Sequence, residues 1–164
     1  MKRHLTISII LISILFISVL AIWRHSNREP KYKEKPRSYW LSQIFQTATQ
    51  YEDIRTTYKA LRALGPSVAP PLIQAMANTN NSYDLRQNSF AALEQINKLA
   101  SNQVPQLMQL SKYSDRQGRI DAILVLADIG PYAKQAIPFL MEESTTSDTN
   151  FLPYLSEALK QIEK

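Results

Sequence analysis

Chemistry in this chain would have to come from carboxylates, because the other reactive side chains are nearly absent. There is no Cys, and both histidines, His4 and His25, flank an N-terminal hydrophobic run, so residues 38–164 contain neither. Without them most nucleophile–base pairs and most zinc sites are excluded. Three glycines, Gly65, Gly118 and Gly130, are too far apart for a phosphate-binding loop. Among the carboxylates, Glu142 and Glu143 are adjacent, so on a helix they diverge by about 100°. Asp115 and Asp121 lie six apart and do not stack. These acids read as solvated faces and as charges at helix N-termini, with Asp84 and Asp115 as N-caps. No catalytic residue, metal ligand or cofactor site is expected.

Two further residue types could recognise rather than react. Arg86 and Arg119 occupy matching positions and are expected to bond neighbouring helix ends or carboxylates. Tyr51, Tyr58, Tyr83, Tyr113, Tyr132 and Tyr154 offer large contact areas with one polar handle. Tyr58 shares a column with Phe90 and Ile123, where packing is favoured.

The elements that hold these residues follow from a repeat. Leu64, Ile96, Ile129 and Ile162 are spaced by 32, 33 and 33. Three positions earlier stand Leu61, Leu93, Leu126 and Leu159; four earlier, Ala60, Ala92, Val125 and Ala158; seven earlier, Thr57, Ser89, Ala122 and Leu155. These offsets make one face of a helix. Two and one positions earlier run the expected solvent columns, Arg62, Glu94, Ala127, Lys160 and Ala63, Gln95, Asp128, Gln161. Gly65-Pro66 and Gly130-Pro131 stop two of these helices, and Asn97 stands where the glycine would be in the middle copy.

A second helix repeats behind the first, aligned on Pro70, Pro105 and Pro138. Its expected core stripe is Ala69, Val104, Ile137, then Leu72, Leu107, Leu140, then Ile73, Met108, Met141. Gln74, Gln109 and Glu142 should face solvent, with Pro71, Gln106 and Phe139 beside them. Those six residues form the candidate protein-binding surface. Ser38 is expected to cap a preceding helix over 38–48 that carries Trp40, Leu41, Ile44 and Phe45 on its apolar side. The repeats then fall at about 51–78, 84–112 and 115–144, with a partial copy at 149–164. About eight helices and no sheet are expected.

The strings LRALGPSVAPPLIQAM (61–76) and LVLADIGPYAKQAIPFLMEE (124–143) resemble HEAT and phycobilisome-lyase-type HEAT-like repeats. The polar entries Asp84-Leu85-Arg86 and Asp115…Arg119 are similar to that family as well. The resemblance covers roughly residues 51–164, and the whole layout looks like membrane-associated bacterial HEAT-repeat proteins. It implies an all-α fold, a short right-handed α-solenoid of about 3.5 helix pairs. Asn97 in place of glycine, and a fourth copy without its second helix, depart from the pattern.

Ahead of the domain, Leu5 to Ile22 is 18 residues without a charge, followed by Trp23. Such a run spans about 27 Å as a helix, near the ~30 Å of a bilayer core. Residues 1–23 are therefore read as a membrane anchor, with the domain outside the cytoplasm. A signal peptide cleaved after Ala21, leaving a secreted or periplasmic protein, is the alternative. Residues 24–37 form a basic linker in which Pro30 and Pro36 favour extended backbone; it is a solvated spacer or a strip on anionic headgroups.

The net charge of +5 divides unevenly. Residues 1–37 carry eight Lys/Arg against two Glu, whereas residues 38–164 carry 11 against 12 acids. A near-neutral domain lacks the basic face that nucleic acid requires. The expected function is a non-enzymatic, membrane-tethered module that binds a protein or peptide. An accessory subunit of a lyase-like enzyme is the alternative, and a purely structural envelope protein is a third.

Overall fold

The computed structural model describes residues 29–46, 54–146 and 148–164. The chain divides into two compact units, Met1–Pro30 and Lys31–Lys164. The expected anchor at residues 5–23 lies outside the described residues, as do the Ala21 cleavage position and Tyr51. No helix among the described residues is long and apolar enough to cross a membrane.

The second unit is mostly helical. A short hairpin, β1 (Lys31–Tyr32) and β2 (Lys35–Pro36), leads into α1 (Arg37–Phe45). There follow α2 (Ile54–Leu64), α3 (Ala69–Ala77), α4 (Tyr83–Ile96), α5 (Val104–Tyr113), α6 (Arg116–Ile129), α7 (Ile137–Thr146) and α8 (Leu152–Ile162). Tight 3-10 stretches, Gly65–Val68, Asn97–Gln103 and Gly130–Ala136, join α2 to α3, α4 to α5 and α6 to α7. Each opens on a residue with positive φ, namely Gly65, Asn97 or Gly130. Here the chain leaves the helix in a direction that a side chain with Cβ resists. Proline then stands in the first turn of α3 and α5, where the missing N–H removes no helical bond.

Packing follows the apolar columns. Leu61, Leu93 and Leu126 are fully buried, as are Ala60, Ala92, Val125 and Ala158. Each buried leucine contributes about 2 kcal/mol of transfer free energy, and α2, α4, α6 and α8 turn these faces to one core. The most extensive contacts join α3 to α4, α5 to α6 and α6 to α8. From α3 to α6, a second helix therefore packs on the first helix of the next copy.

Several expectations are corrected. A two-strand antiparallel sheet is present, pairing Lys31 with Pro36 and Tyr32 with Lys35. Residues 31–37 are thus folded onto the domain instead of forming a spacer. The indole Nε1 of Trp40 donates to the Tyr32 carbonyl at 3.1 Å, and Arg37 donates to the Ser67 carbonyl at 3.0 Å. Ser38 does not cap α1, which begins at Arg37 behind the extended Pro36. Asp84 is not an N-cap either: Ser82 accepts from the Leu85 amide, and Asp84 lies in the first turn. Asp115 is the N-cap of α6, accepting from the Gly118 amide at 2.8 Å. Ala127, placed in a solvent column, is buried, whereas Met141, placed in the core stripe, is 55 % exposed.

Candidate protein-binding surface

The candidate surface is carried by α3, α5 and α7. Each begins at the residue before its proline and buries the position two beyond it, Leu72, Leu107 and Leu140, completely. That burial fixes the rotation of the helix, so the residue four beyond the proline must point away from the core. Gln74, Gln109 and Glu142 are all exposed. Beside them Gln106 is exposed, while Pro71 and Phe139 are half-buried. Pro71 and Gln74 come together in a groove of about 300 Å³ with Phe45, Asn78, Asn81 and Leu85. Gln106 and Gln109 lie on the open surface of α5. Phe139 packs against the core cluster, and the exposed Met141 precedes Glu142.

Two arginines set the spacing of the helices beneath. Arg86 Nε donates to the Met76 carbonyl at 2.9 Å, and Arg119 Nε donates to the Ser111 carbonyl at 2.9 Å. Met76 and Ser111 both stand six residues after the prolines of their helices. Each arginine thus clamps the end of the preceding second helix, where carbonyls lack helical partners. Their remaining donors differ. Arg86 pairs with Asp115, whereas Arg119 reaches Glu143 at 3.5 Å and lies 4.1 Å from the centre of the Phe151 ring. The sequence expectation for both arginines, helix ends and carboxylates, matches these contacts.

A larger groove, about 570 Å³, lies where the C-terminal ends of α4 and α6 meet α8. None of the six candidate surface residues lines it. Glu94, Asp128 and Glu157 supply acid to its wall, Lys98 and Lys164 supply base, and Tyr132, 62 % exposed, stands on its rim. Partial removal from water raises the pKa of Glu94, and the nearby Asp128 and Asp121 raise it further. Removal from water raises Asp128 as well. The signal was available: Glu94 and Asp128 sit in adjacent solvent columns of successive first helices, which brings their carboxylates onto one wall.

Asp121 is not on a solvated face either. It is 1 % exposed, accepting from the Gln117 amide at 2.7 Å and, at the long distance of 3.4 Å, from Gln87. Burial raises its pKa, and the amide hydrogen bonds and Arg86 act against the rise. Its column, eight before the aligned isoleucine, reads Thr56, Asn88, Asp121 and Tyr154. That is a polar margin of the apolar stripe, where a neighbouring helix decides burial.

Among the described residues no group of three or more His, Cys, Asp or Glu could hold a metal ion. No protein-family model, curated protein or solved structure gave a match to the chain.

Proposed function

We propose that this chain is a non-enzymatic, membrane-tethered protein–protein interaction module of the bacterial cell envelope. In this reading the helix pairs form a short right-handed α-solenoid of HEAT-like repeats, and residues 5–23 hold it in the membrane with the domain outside the cytoplasm. The observation that carries it is the exposed column Gln74, Gln109, Glu142, which stands at the same position on three successive second helices. Stacked repeats present such columns as one extended surface, and a protein or peptide partner matches its length and polarity. The groove at Pro71 and Gln74 gives that surface a recess for one anchoring side chain. The uncharged run from Leu5 to Ile22 supports the tether.

Photocrosslinking residues placed singly at Gln74, Gln109 and Glu142, in cells, test the surface. All three should trap one and the same partner, and a crosslinker at the exposed Lys59 of α2 should not. If changing all three positions to alanine leaves the proteins recovered with the chain by pulldown unchanged, the surface is wrong. Fractionation with protease protection tests the tether: full-length protein in the membrane is expected, and soluble protein beginning at Ile22 would replace the anchor with a cleaved signal.

A further inference from the structure

Among the described residues, the basic side chains between Lys31 and Arg37 divide into two groups. Lys35 and Arg37 turn inward. The Lys35 ammonium donates to the Tyr39 hydroxyl at 2.6 Å and lies 4.0 Å from that ring's centre, and Arg37 bonds the Ser67 carbonyl. Tyr32 packs edge-on to the buried Trp40, with ring centres 5.7 Å apart. The hairpin is therefore stapled to the helices. Lys31 and Lys33, in contrast, are exposed, as is Glu34. Lys33 and Glu34 form the two-residue turn, with φ of 47° and 60°. That conformation suits Asn-Gly, and charged residues with Cβ hold it against strain. Strain of this kind gathers where a protein positions a working surface.

On the membrane-tethered reading, chain length limits how far this tip can stand from the bilayer. Residues 24–30 are all that separate Trp23 from Lys31, so a fully extended chain reaches at most about 28 Å. We infer that the hairpin is a second membrane contact, in which Lys31 and Lys33 dock on anionic lipid headgroups and fix how the helical domain stands over the bilayer. This rests on the membrane-tethered reading. Each lysine near an anionic surface favours docking about fivefold, and the tether makes the encounter intramolecular. Glu34 opposes it. Nucleic acid fits less well, because two lysines do not make a phosphate-tracking face and the domain behind them is near neutral.

The full chain, which has no native Cys, is reconstituted with a fluorophore on Glu34→Cys or, as a reference, on Gln109→Cys. Headgroup-labelled quencher lipids report distance. Quenching at position 34 should be strong in vesicles with about 30 % anionic lipid and weak in neutral ones, and about 0.5 M NaCl should remove the difference. Lys31→Gln with Lys33→Gln should lower the docked-to-undocked ratio about 25-fold, and the label at 109 should not respond. Equal quenching in both vesicle types, or indifference to the double substitution, overturns the docking alone, provided the chain still resists extraction at alkaline pH. A chain that washes off removes the tethered reading and the docking together. A stronger response to short duplex DNA than to anionic vesicles also overturns it.

Discussion

The guanidinium of Arg86 donates both terminal nitrogens to the Asp115 carboxylate, at 2.8 and 2.7 Å, while Asp115 also caps α6 through the Gly118 amide. With the Arg86 bond to the Met76 carbonyl, one pair of side chains joins the end of α3, the body of α4 and the start of α6. The hydrogen bonds from Arg86 and from the Gly118 amide hold the Asp115 carboxyl below the usual range. Thirty-three residues away on either side, Ser82 caps α4 and Asp148 caps the 3-10 turn Thr149–Phe151 that leads into α8.

Asp115→Ala should remove the cap and leave Arg86 without its carboxylate. The cap contributes about 1 kcal/mol. The pair contributes about 1–2 kcal/mol more, discounted because Asp115 keeps 41 % of its side chain in solvent. Urea unfolding should show a total loss of about 2–3 kcal/mol. Asp115→Asn keeps a capping oxygen and should lose about half of that. Asp84→Ala, in the first turn but not at the cap, should change stability by less than about 0.5 kcal/mol.

Asp121 and Asp115 should bend the pH profile of stability in opposite directions. Burial raises the pKa of Asp121 in the folded chain, so ionising it opposes folding. As pH falls from neutral toward the ordinary aspartate value, that penalty is relieved and stability rises. Glu94 and Asp128, also raised, act in the same sense. The pKa of Asp115 is lowered, so its contribution is present above the ordinary value and is lost as pH falls through the folded one. Asp121→Asn should therefore stabilise the protein at pH 7 by about 1–2 kcal/mol, provided the Gln87 or Gln117 amide turns to meet the new donor. The advantage should vanish as the pH approaches about 4. An advantage that persists there would mean that shape, not charge, carries the effect.

The first-helix core was legible because a 3.6-residue period is a local property and four copies repeat it. Leu61, Leu93 and Leu126 needed no knowledge of their neighbours. Other residues did. Met141 lies in a core column, but a column gives only the direction of a side chain. The helices α3 and α5 also pack on the 3-10 stretch of the following copy, whereas the main contacts of α7 are α8 and its own 3-10 entry. Ile73 is therefore fully buried and Met141 is not. The hairpin left no signal because its strands are two residues long and its turn, Lys33-Glu34, lacks the Asn-Gly chemistry that marks such turns. Between Ser82 and Asp84, single-site propensity could not choose. The 33-residue spacing to Asp115 and Asp148 favours Ser82. For the candidate surface, sequence supplied which residues point outward, while the grooves depended on how successive helices meet.

Asn97 is the one departure from glycine at the repeated helix exit, and it is strained there. Its φ of 25° and ψ of −104° parallel the 60° and −136° of Gly130, a region that residues with Cβ avoid. The Asn97 carboxamide accepts from the Lys98 amide, which offsets part of the strain. Asn97→Gly should raise stability by about 1 kcal/mol, less the added freedom of the unfolded chain. Gly130→Ala should do the reverse, with a loss of about 1–3 kcal/mol, although its Cβ would meet only the Gln161 carbonyl oxygen, at 3.7 Å. Thermal unfolding of the two variants checks the pair: a destabilised Asn97→Gly would show that the carboxamide bond outweighs the backbone strain.

Gly118 gives a case in which helix propensity and packing predict opposite signs. It lies inside α6, where exchanging glycine for alanine ordinarily stabilises by about 1 kcal/mol. A Cβ there would lie 2.8 Å from Asp115 Oδ1, 2.9 Å from Ser114 Cβ and 3.3 Å from an Arg86 terminal nitrogen. The Asp115 carboxylate could swing away, but only by giving up the Gly118 amide and loosening the Arg86 pair. Ser114 Cβ is held by the backbone and can move only if the α5–α6 turn moves. Overpacking of this kind costs about 1–3 kcal/mol, and the disturbed cap adds about 1 kcal/mol, so packing outweighs propensity. Gly118→Ala should lower stability by about 1–3 kcal/mol net. In the Asp115→Ala background the part of that loss that runs through the cap and the Arg86 pair should disappear, while the contact with Ser114 Cβ stays. A double-mutant cycle in urea checks this coupling: additive losses would mean that the contact with Ser114, not the Arg86–Asp115 junction, is what the missing side chain protects.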